Sequence, residues 1–265
     1  MRNMQTAAYG TSHGPFDLSD IKNSCKLDNL SRGLIFSIHV VILFPTTSCF
    51  SDTMKEEDKI MAGILFAPGN PELRAIKMRS HKLSAAYSRT DEDDVEIRKH
   101  LFELILGEIG EGTFMQGPIF FHYGKHTKIG KRNFFNYNLT IQDDATVEIG
   151  NDNNFGPNCT IVTPIHPMLP DERRTMLDKD GKPAHLCYAK PVKIGNDCWF
   201  GANVVICPGV TIGDGCVIGA GAVVTRDIPP MSFAAGCPCK VIRPITEADS
   251  MANKPDIIGD NKVIN

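Results

Sequence analysis

The sequence of 265 residues has a single tryptophan, no large excess of either charge and no apolar run long enough to cross a membrane. Its 28 basic and 31 acidic residues give a formal net charge of -3. A protein that binds nucleic-acid phosphates needs a basic surface, so this balance predicts no nucleic-acid partner. The apolar run from Leu34 to Phe44 has 11 residues, whereas a transmembrane helix needs ~20. We therefore expect no membrane partner.

Paired cysteine motifs are also missing. The nine cysteines are an odd number, and the closest pair, Cys237 and Cys239, lacks the C-x-x-C spacing of a zinc knuckle or a redox dithiol. A chain of this length does not need disulfides to stabilise its core. We predict a reducing, cytoplasmic compartment.

Residues 1–50 differ from the rest of the chain. They are rich in Ser, Asn and Thr, and basic residues precede the apolar run, a pattern that also occurs in secretory signal peptides. Because the run starts too far from Met1 for a usual signal, we favour a disordered or wrongly assigned extension over secretion or anchoring. Residues 246–265 are assigned as a C-terminal tail.

Three amphipathic helices are predicted within residues 51–110. Thr53 and Glu56 form a capping box ahead of apolar residues that share one helical face. Asn70 and Pro71 are a second start signal, an N-cap followed by proline in the first turn. An acidic stretch then marks the start of a third helix, whose apolar residues recur at spacings of three and four.

Beyond Gly110 a six-residue period replaces the helical one. One column of this period is mostly glycine, and the column before it is bulky and apolar, with Ile194, Phe200, Ile206, Ile212, Ile218 and Val224. An earlier array obeys the same rule and slips by two residues between Ile141 and Ile149, which predicts a loop.

A six-residue period of this kind suits very short parallel strands joined by tight corners, because glycine tolerates backbone angles that branched residues do not. Three such sides make a coil of about 18 residues, and successive coils stack ~4.8 Å apart. The sequence therefore predicts a parallel β-helix over residues 111–245. In it Cys198 and Cys216 are stacked core neighbours rather than metal ligands.

Several segments also carry a family resemblance. The segment Ile218-Gly-Ala-Gly-Ala-Val-Val-Thr-Arg-Asp-Ile-Pro-Pro is similar to the hexapeptide-repeat acyltransferases. The segments around Met61-Ala-Gly-Ile-Leu-Phe, Asn136-Tyr-Asn-Leu-Thr-Ile-Gln-Asp-Asp and Ile165-His-Pro, with Lys193-Ile-Gly-Asn-Asp-Cys-Trp-Phe-Gly, extend the likeness over residues 54–245. Together they resemble the maltose/galactoside O-acetyltransferase family.

The resemblance implies a mainly β protein, with a left-handed parallel β-helix of hexapeptide repeats preceded by a small α-helical segment. Its implied activity is acetyl transfer from acetyl-CoA to a hydroxyl of a sugar or sugar-like acceptor. It also implies a homotrimer whose sites each draw on two chains, and a reaction that requires no metal.

Two residues match the family's catalytic positions. An alcohol is a weak nucleophile at neutral pH and must lose its proton as it attacks a thioester, so the reaction needs a base. His166, between Pro164 and Pro167, matches the family's catalytic base. Asn136 matches the asparagine that stabilises the tetrahedral oxyanion. From the residue alone, an asparagine at a left-handed corner would be the simpler explanation.

Three further residues match positions beside the acceptor. Asp144 matches a carboxylate that accepts hydrogen bonds from sugar hydroxyls, although the adjacent Asp143 could equally cap a turn. Trp199 matches an aromatic wall beside the thioester, or is an ordinary aromatic at the edge of a coil. His122 occupies a second acceptor position that is usually small or polar.

The resemblance also implies a coenzyme A site. Cations suit the phosphates of coenzyme A, and alanine between glycines allows the pantetheine arm to run close to the backbone. The implied contacts are Ala202, Ala220, Thr225, Arg226, Lys240 and Arg243.

The chain departs from the family pattern around the acceptor. The family usually has an aspartate just after the Leu-Phe of its first helix, but Leu65-Phe66 is followed by Ala67. The loop 167–190 is longer than the family's loop and follows His166 directly, so it could be a lid that selects a different acceptor. A galactoside or maltose acceptor is therefore less certain than acetyl transfer itself.

Two other functions are compatible with such a chain. One is a non-catalytic trimeric scaffold that has lost turnover. The other is a zinc carbonic anhydrase of the γ type, for which His122, His126 and His166 are the only plausible ligands.

Overall fold

The computed structural model describes residues 54–263. The predicted N-terminal extension, its apolar run and the cap residue Thr53 lie outside the described residues. Helix α1 spans Glu56–Met61, α2 spans Pro71–Tyr87 and α3 spans Val95–Ile105. All three predicted helices are therefore present.

Helix α2 begins as the sequence indicated. The side chain of Asn70 accepts hydrogen bonds from the backbone N–H groups of Glu72 (2.8 Å) and Leu73 (3.4 Å), which satisfies donors that the first helical turn leaves free. Helix α1 differs, because it follows Lys55 without a side-chain cap. Glu56 instead accepts from Lys59 Nζ and from the backbone N–H of Ala67, both at 2.6 Å.

Beyond α3 the chain winds through stacked coils whose short strands form three parallel faces. The first face contains β1 (Glu108–Ile109), β4 (Thr127–Ile129), β7 (Val147–Ile149), β14 (Val192–Ile194) and β17 (Thr211–Ile212). The second contains β2 (Phe114–Met115), β5 (Phe134–Phe135), β8 (Asn154–Phe155), β15 (Trp199–Phe200), β18 (Val217–Ile218), β20 (Ser232–Ala235) and the antiparallel β21 (Lys240–Pro244). The third contains β3 (Ile119–Phe121), β6 (Leu139–Gln142), β9 (Thr160–Val162), β16 (Val205–Ile206) and β19 (Val223–Val224).

The register of these strands confirms the predicted period. Ile194 pairs with Ile212, which follows it by three repeats of the period. Ile129 pairs with Ile149, so the coil between them is slightly longer than three repeats. The additional residues fall where the sequence slips, and they widen the coil around Asp143 and Asp144. The chain is thus a mainly β protein built as a parallel β-helix.

Identical or similar side chains stack inside the coils. The buried rings of Phe135, Phe155 and Phe200 are stacked with centroids 4.5 and 4.2 Å apart. Cys198 and Cys216 are buried stacked neighbours, as predicted, and their thiols donate to the carbonyl oxygens of Gly213 (3.2 Å) and Pro229 (3.1 Å).

Helix α2 covers the open edge of the third face. Ser80 Oγ donates to the carbonyl oxygen of Phe121 (2.9 Å), and Ser84 Oγ accepts from the backbone N–H of Phe121 (3.3 Å). One turn later, Ser88 Oγ accepts from the N–H of Ile119 (3.1 Å). These serines satisfy the edge of β3, which would otherwise be free to pair with another chain.

Residues 164–189, which include His166 and the long loop after it, form an ordered excursion from the coil. It contains β10 (Pro164–Ile165), helix α4 (Pro170–Arg174), β11 (Met176–Leu177), β12 (Pro183–Ala184) and β13 (Tyr188–Ala189). Strands β10 and β13 pair antiparallel, as do β11 and β12. Phe66 and Cys187 exchange two backbone hydrogen bonds (2.9 and 3.1 Å), which join the helical segment to the end of the excursion.

The last described residues form two 3₁₀ turns, Glu247–Asp249 and Met251–Asn253, and helix α5, Pro255–Ile258. Within residues 54–263, no helix combines the length and apolar character needed to span a bilayer.

Candidate active site

The predicted site residues are distributed over two corners of the coil. Corner A comprises the turns between the second and third faces, residues 136–138, 156–158, 201–203 and 219–221. Corner B comprises the turns that follow the third face, residues 122–126, 143–146, 163–190, 207–210 and 225–227. Strand β6 connects the two corners within one coil.

Corner B brings His122, Asp144 and His166 onto one edge of the β-helix. Phe121 pairs with Ile141, and the N–H of His122 donates to the carbonyl oxygen of Ile141 (3.0 Å), so His122 lies one coil below the Asp144 turn. Thr163 Oγ1 accepts from the N–H of Ala145 (2.9 Å), which places the start of the excursion directly on that turn.

His166 is exposed at the end of β10. Its ring centroid lies 5.5 Å from that of His185, with the two planes tilted by 46°. Neither imidazole has a hydrogen-bond partner among the described residues, so the His166 ring nitrogens are available to a substrate. His185 comes from the far end of the excursion, and its separation from His166 along the chain hid this contact from sequence reasoning.

Asp143 and Asp144 are both buried, but their surroundings differ. Asp143 accepts from the N–H of Tyr123 (2.8 Å) and from Thr127 Oγ1 (2.9 Å), so it holds the turn together. Asp144 is 3% exposed, and within residues 54–263 its Oδ2 has no hydrogen-bond partner. Burial and the neighbouring Asp143 raise the pKa of Asp144 to about 6. Asp144 is thus the carboxylate with a buried oxygen left unpartnered among the described residues.

His122 is half-buried beside a second imidazole from helix α2. His81 Nε2 lies 3.4 Å from His122 Nδ1. Burial, together with the charge of Lys77 and the neighbouring His81, lowers the pKa of His122 to about 4. Both rings are thus neutral near pH 7, because burial and Lys77 also lower the pKa of His81.

Asn136 lies in corner A, at the other end of β6. Its Oδ1 accepts from the N–H of Tyr137 (2.9 Å), while its Nδ2 has no partner among the described residues. Within the turn of residues 136–138, the left-handed residue is Asn138, with φ 61°. The simpler explanation for Asn136, tolerance of a left-handed backbone, is therefore wrong.

A single chain does not bring Asn136 together with Asp144 and His166. The four residues of β6 separate the two corners, and an extended strand rises about 3.3 Å per residue, so the gap is at least ~13 Å. Asn136 instead shares corner A with Ala202 and Ala220. A Cβ atom on Gly201 would lie 2.5 Å from the backbone nitrogen of Ala220, so the coils approach closely there.

The remaining predicted coenzyme residues lie on the upper coils. Thr225 and Arg226 are exposed at corner B, and Lys240 is exposed at the start of β21. Arg243, on the same strand, forms two 2.7 Å hydrogen bonds to Asp249, and this partner raises the pKa of the guanidinium. Trp199 is 58% exposed on the outer surface of the second face.

One of the three candidate zinc ligands, His126, is held by other groups of the protein. His126 is buried, its Nδ1 lies 2.9 Å from the carbonyl oxygens of Asp143 and Asp144, and its Nε2 lies 3.0 Å from Glu57 Oε1. Both ring nitrogens of His126 are therefore engaged by partners within the protein. Among residues 54–263, no three His, Cys, Asp or Glu side chains are grouped to hold a metal ion.

Sequence reasoning missed the contribution of helix α2 to corner B. Lys77 Nζ lies 5.9 Å from the ring centroid of Tyr123, and Lys77 and His81 are one helical turn apart. The spacing of four puts both on one helix face, but only the packing of α2 on β3 shows that this face meets His122.

Comparison with known proteins gives consistent matches over most of the chain. Residues 59–110 match the maltose acetyltransferase hexapeptide capping motif, and residues 191–226 match the bacterial transferase hexapeptide (six repeats). The galactoside O-acetyltransferase of Escherichia coli (strain K12) is 40% identical over 74% of this chain and 92% of its own length. The galactoside O-acetyltransferase of Lactococcus lactis subsp. lactis (strain IL1403) is 37% identical over 70% of this chain and 86% of its own length.

Solved structures show the same relationship. A galactoside acetyltransferase in complex with coenzyme A has a TM-score of 0.68 and 38% identity, and the match covers 80% of this chain and 100% of that one. A maltose O-acetyltransferase from Clostridium difficile 630 has a TM-score of 0.64 and 35% identity, and the match covers 73% of this chain and 99% of that one. The family and fold predicted from the sequence are confirmed, and the chain belongs to the galactoside and maltose O-acetyltransferase family of hexapeptide-repeat acyltransferases.

Proposed function

We propose that this acyltransferase, whose co-substrate is acetyl-CoA, moves the acetyl group onto a hydroxyl of a sugar or sugar-like acceptor, with His166 as the general base. The observation that carries the proposal is the arrangement at corner B. An available imidazole follows a buried carboxylate, Asp144, whose Oδ2 has no hydrogen-bond partner among the described residues. A sugar hydroxyl is the natural donor to such a carboxylate.

The reaction proceeds by attack of the acceptor oxygen on the thioester carbonyl carbon. His166 takes the hydroxyl proton as the new C–O bond forms, and the carbonyl oxygen becomes an oxyanion. The Asn136 side-chain amide donates to that oxyanion. The intermediate then breaks its C–S bond, and the sulfur leaves with the proton held by His166, giving free coenzyme A and the acetyl ester.

The coenzyme lies against the upper coils in this proposal. Ala202 and Ala220 line the narrow corner A beside the pantetheine arm, Trp199 flanks the arm from the second face, and Thr225 contacts the coenzyme from corner B. Arg226 and Lys240 are exposed cations that suit the phosphates. Arg243 already has Asp249 as a partner, so its share in phosphate binding is smaller than sequence reasoning implied.

The distance along β6 supports a homotrimer. Since Asn136 and His166 lie at opposite corners of one chain, a site that uses both draws Asn136 from one protomer and His166 from its neighbour. Equal mixing of Asn136→Ala and His166→Ala subunits by unfolding and refolding should then restore about a quarter of wild-type activity, because random assembly leaves that share of interfaces intact. No recovery in mixed trimers would place the two residues in the same-chain site and refute this arrangement.

The primary test is thiol release from acetyl-CoA with a panel of sugars, glycosides and non-sugar alcohols. His166→Ala should lower kcat by about 10²–10⁴ and leave coenzyme binding and trimer assembly unchanged. His100→Ala, at a half-buried position of α3 away from both corners, is the matched control and should behave as wild type. An active His166→Ala enzyme would refute the base assignment. Tight coenzyme binding without release for any acceptor would favour the scaffold.

A further inference from the structure

A group of nitrogen-bearing side chains surrounds the aromatic ring of Tyr123 at corner B. Lys77 Nζ lies 5.9 Å from the centroid of this ring and donates to the carbonyl oxygen of Pro68 (2.8 Å). The His122 ring meets Tyr123 edge-on, with centroids 5.0 Å apart, and His81 contacts His122 from helix α2. Lys77 and His122 therefore lie beside the Tyr123 ring, His81 extends the group through His122, and we call the three side chains the basic cluster.

No side-chain carboxylate lies within ion-pair distance of the basic cluster among the described residues, although the pKa of the neighbouring Asp144, which burial raises, is lowered in part by the charge of Lys77. Within the part of the chain that the structure describes, none of its three members forms an ion pair with an Asp or Glu side chain. Ala67, which follows Leu65 and Phe66, carries no charge. Glu56 approaches that position, but its carboxylate is bound to the Ala67 N–H and to Lys59. The ammonium of Lys77 is only partly exposed and has a carbonyl oxygen as its single hydrogen-bond partner.

Two buried polar atoms at corner B have no hydrogen-bond partner among the described residues, the Tyr123 hydroxyl and Asp144 Oδ2. Tyr123 is 1% exposed, and neither its hydroxyl nor Asp144 Oδ2 has a hydrogen-bond partner among residues 54–263. Buried polar atoms without partners cost stability, so they point to a ligand that satisfies them. A diol fits, because one hydroxyl donates to the carboxylate and another accepts from the phenol.

The basic cluster calls for an acidic group, and the unpartnered atoms of Asp144 and Tyr123 call for hydroxyls, so one acceptor should carry both. We propose that the acceptor is a sugar or polyol that carries an acidic group, with its hydroxyls on Asp144 and Tyr123 and its acidic group on the basic cluster. This inference rests on the proposed acetyl transfer and names its substrate class. A charged N–H donor to an anion is stronger than a neutral pair, and the sugar ring keeps the acidic group away from the Asp144 carboxylate.

His81 acts in this arrangement as a positioning residue. The 3.4 Å contact between His81 Nε2 and His122 Nδ1 fits a hydrogen bond in which one nitrogen donates and the other accepts. His81 thereby sets whether His122 Nε2 offers a proton or a lone pair to the acceptor. An anionic group selects the form in which His122 donates.

The test compares two acceptors that differ only at C6, methyl β-D-glucuronide and methyl β-D-glucoside, by thiol release from acetyl-CoA. Wild-type kcat/KM should favour the glucuronide by about tenfold or more, the effect of one hydrogen bond to a charged group. Lys77→Gln should remove most of this preference by lowering kcat/KM for the glucuronide alone. Lys77→Arg, which keeps the charge, should retain it.

Lys82→Gln is the matched control, because Lys82 is exposed on the same helix. Lys82→Gln should leave kcat/KM unchanged for both the glucuronide and the glucoside. Circular dichroism should show that all variants are folded. Turnover without a preference for the acid, or a Lys77→Gln enzyme that loses both acceptors equally, overturns this inference and leaves the proposed function standing. No turnover with any acceptor in the panel overturns both.

Discussion

Replacing Asp144 by asparagine should make the protein more stable at neutral pH while impairing acetyl transfer. Asp144 is 3% exposed and its Oδ2 has no partner among the described residues, so folding moves its charge from water into a poorly solvating site. Asparagine has nearly the same shape and no charge. The cost of burying the carboxylate should therefore disappear in the variant.

The magnitude follows from the pKa of Asp144. Burial, followed by the charge of Asp143, raises this pKa from 3.8 to about 6, against smaller lowering effects of Lys77 and His126. A rise of about two units corresponds to about 3 kcal/mol at 1.36 kcal/mol per unit. The pKa of Asp144 is higher in the folded state than in the unfolded state. The protonated carboxyl therefore contributes fully to the free energy of unfolding at pH values below the unfolded-state pKa. This contribution is lost as the pH rises through about 6.

Urea unfolding at fixed protein concentration, from pH 4 to pH 8, measures this effect. The stability gained by Asp144→Asn should be small near pH 4, increase by about 2 kcal/mol up to pH 7, and then remain constant. Asp152→Asn is the control, because the exposed Asp152 pairs with Arg132 and its pKa is lowered, so its removal should give no gain. A variant that is less stable than wild type at pH 8, or a gain that does not depend on pH, would refute the reasoning.

Three further predictions concern the β-helix, each measured by the same urea unfolding. Phe155→Ala, in the centre of the stacked buried rings, should cost about 3–5 kcal/mol, and Phe155→Leu far less; equal losses would show that packing is not the cause. Met231→Asn should gain about 0.5–1 kcal/mol, since Met231 has φ 53° and asparagine tolerates that region; a loss would argue against strain. Arg98→Met should cost about 3 kcal/mol, because the buried guanidinium donates to the Tyr87 hydroxyl and to the carbonyl oxygens of Met115 and Gln116; a neutral result would contradict this role.

The repeat itself was evident from the sequence because a six-residue period is a local property. Each inward residue stacks on its counterpart in the next coil, so the columns that end in Ile218 and Val224 predict both the strands and their register. The start of α2 at Asn70 was equally local, since this N-cap needs only the N–H groups of Glu72 and Leu73 in the first helical turn. Handedness was not local and came from the family resemblance alone.

The acceptor pocket was only partly predictable. The motif around Asp144 and the His-Pro pair pointed to corner B, but two adjacent aspartates in a sequence do not show which one holds the turn. The structure assigns that part to Asp143, which accepts from Tyr123 and Thr127. It also shows that both nitrogens of His126 are engaged, which removes the zinc alternative built on that residue.

The sequence by itself determined the coil, its core columns and the residue types for acetyl transfer, because these follow from spacing within a short stretch of chain. Only the tertiary structure decided that Asn136 and His166 lie at opposite ends of β6, and that Lys77 and His81 meet His122. Those relations depend on how a helix packs against a strand much later in the chain and on the length of the strand between two corners. A short-range sequence pattern does not predict the distances between residues that are far apart in the chain. Those distances decide which side chains can contact the same substrate.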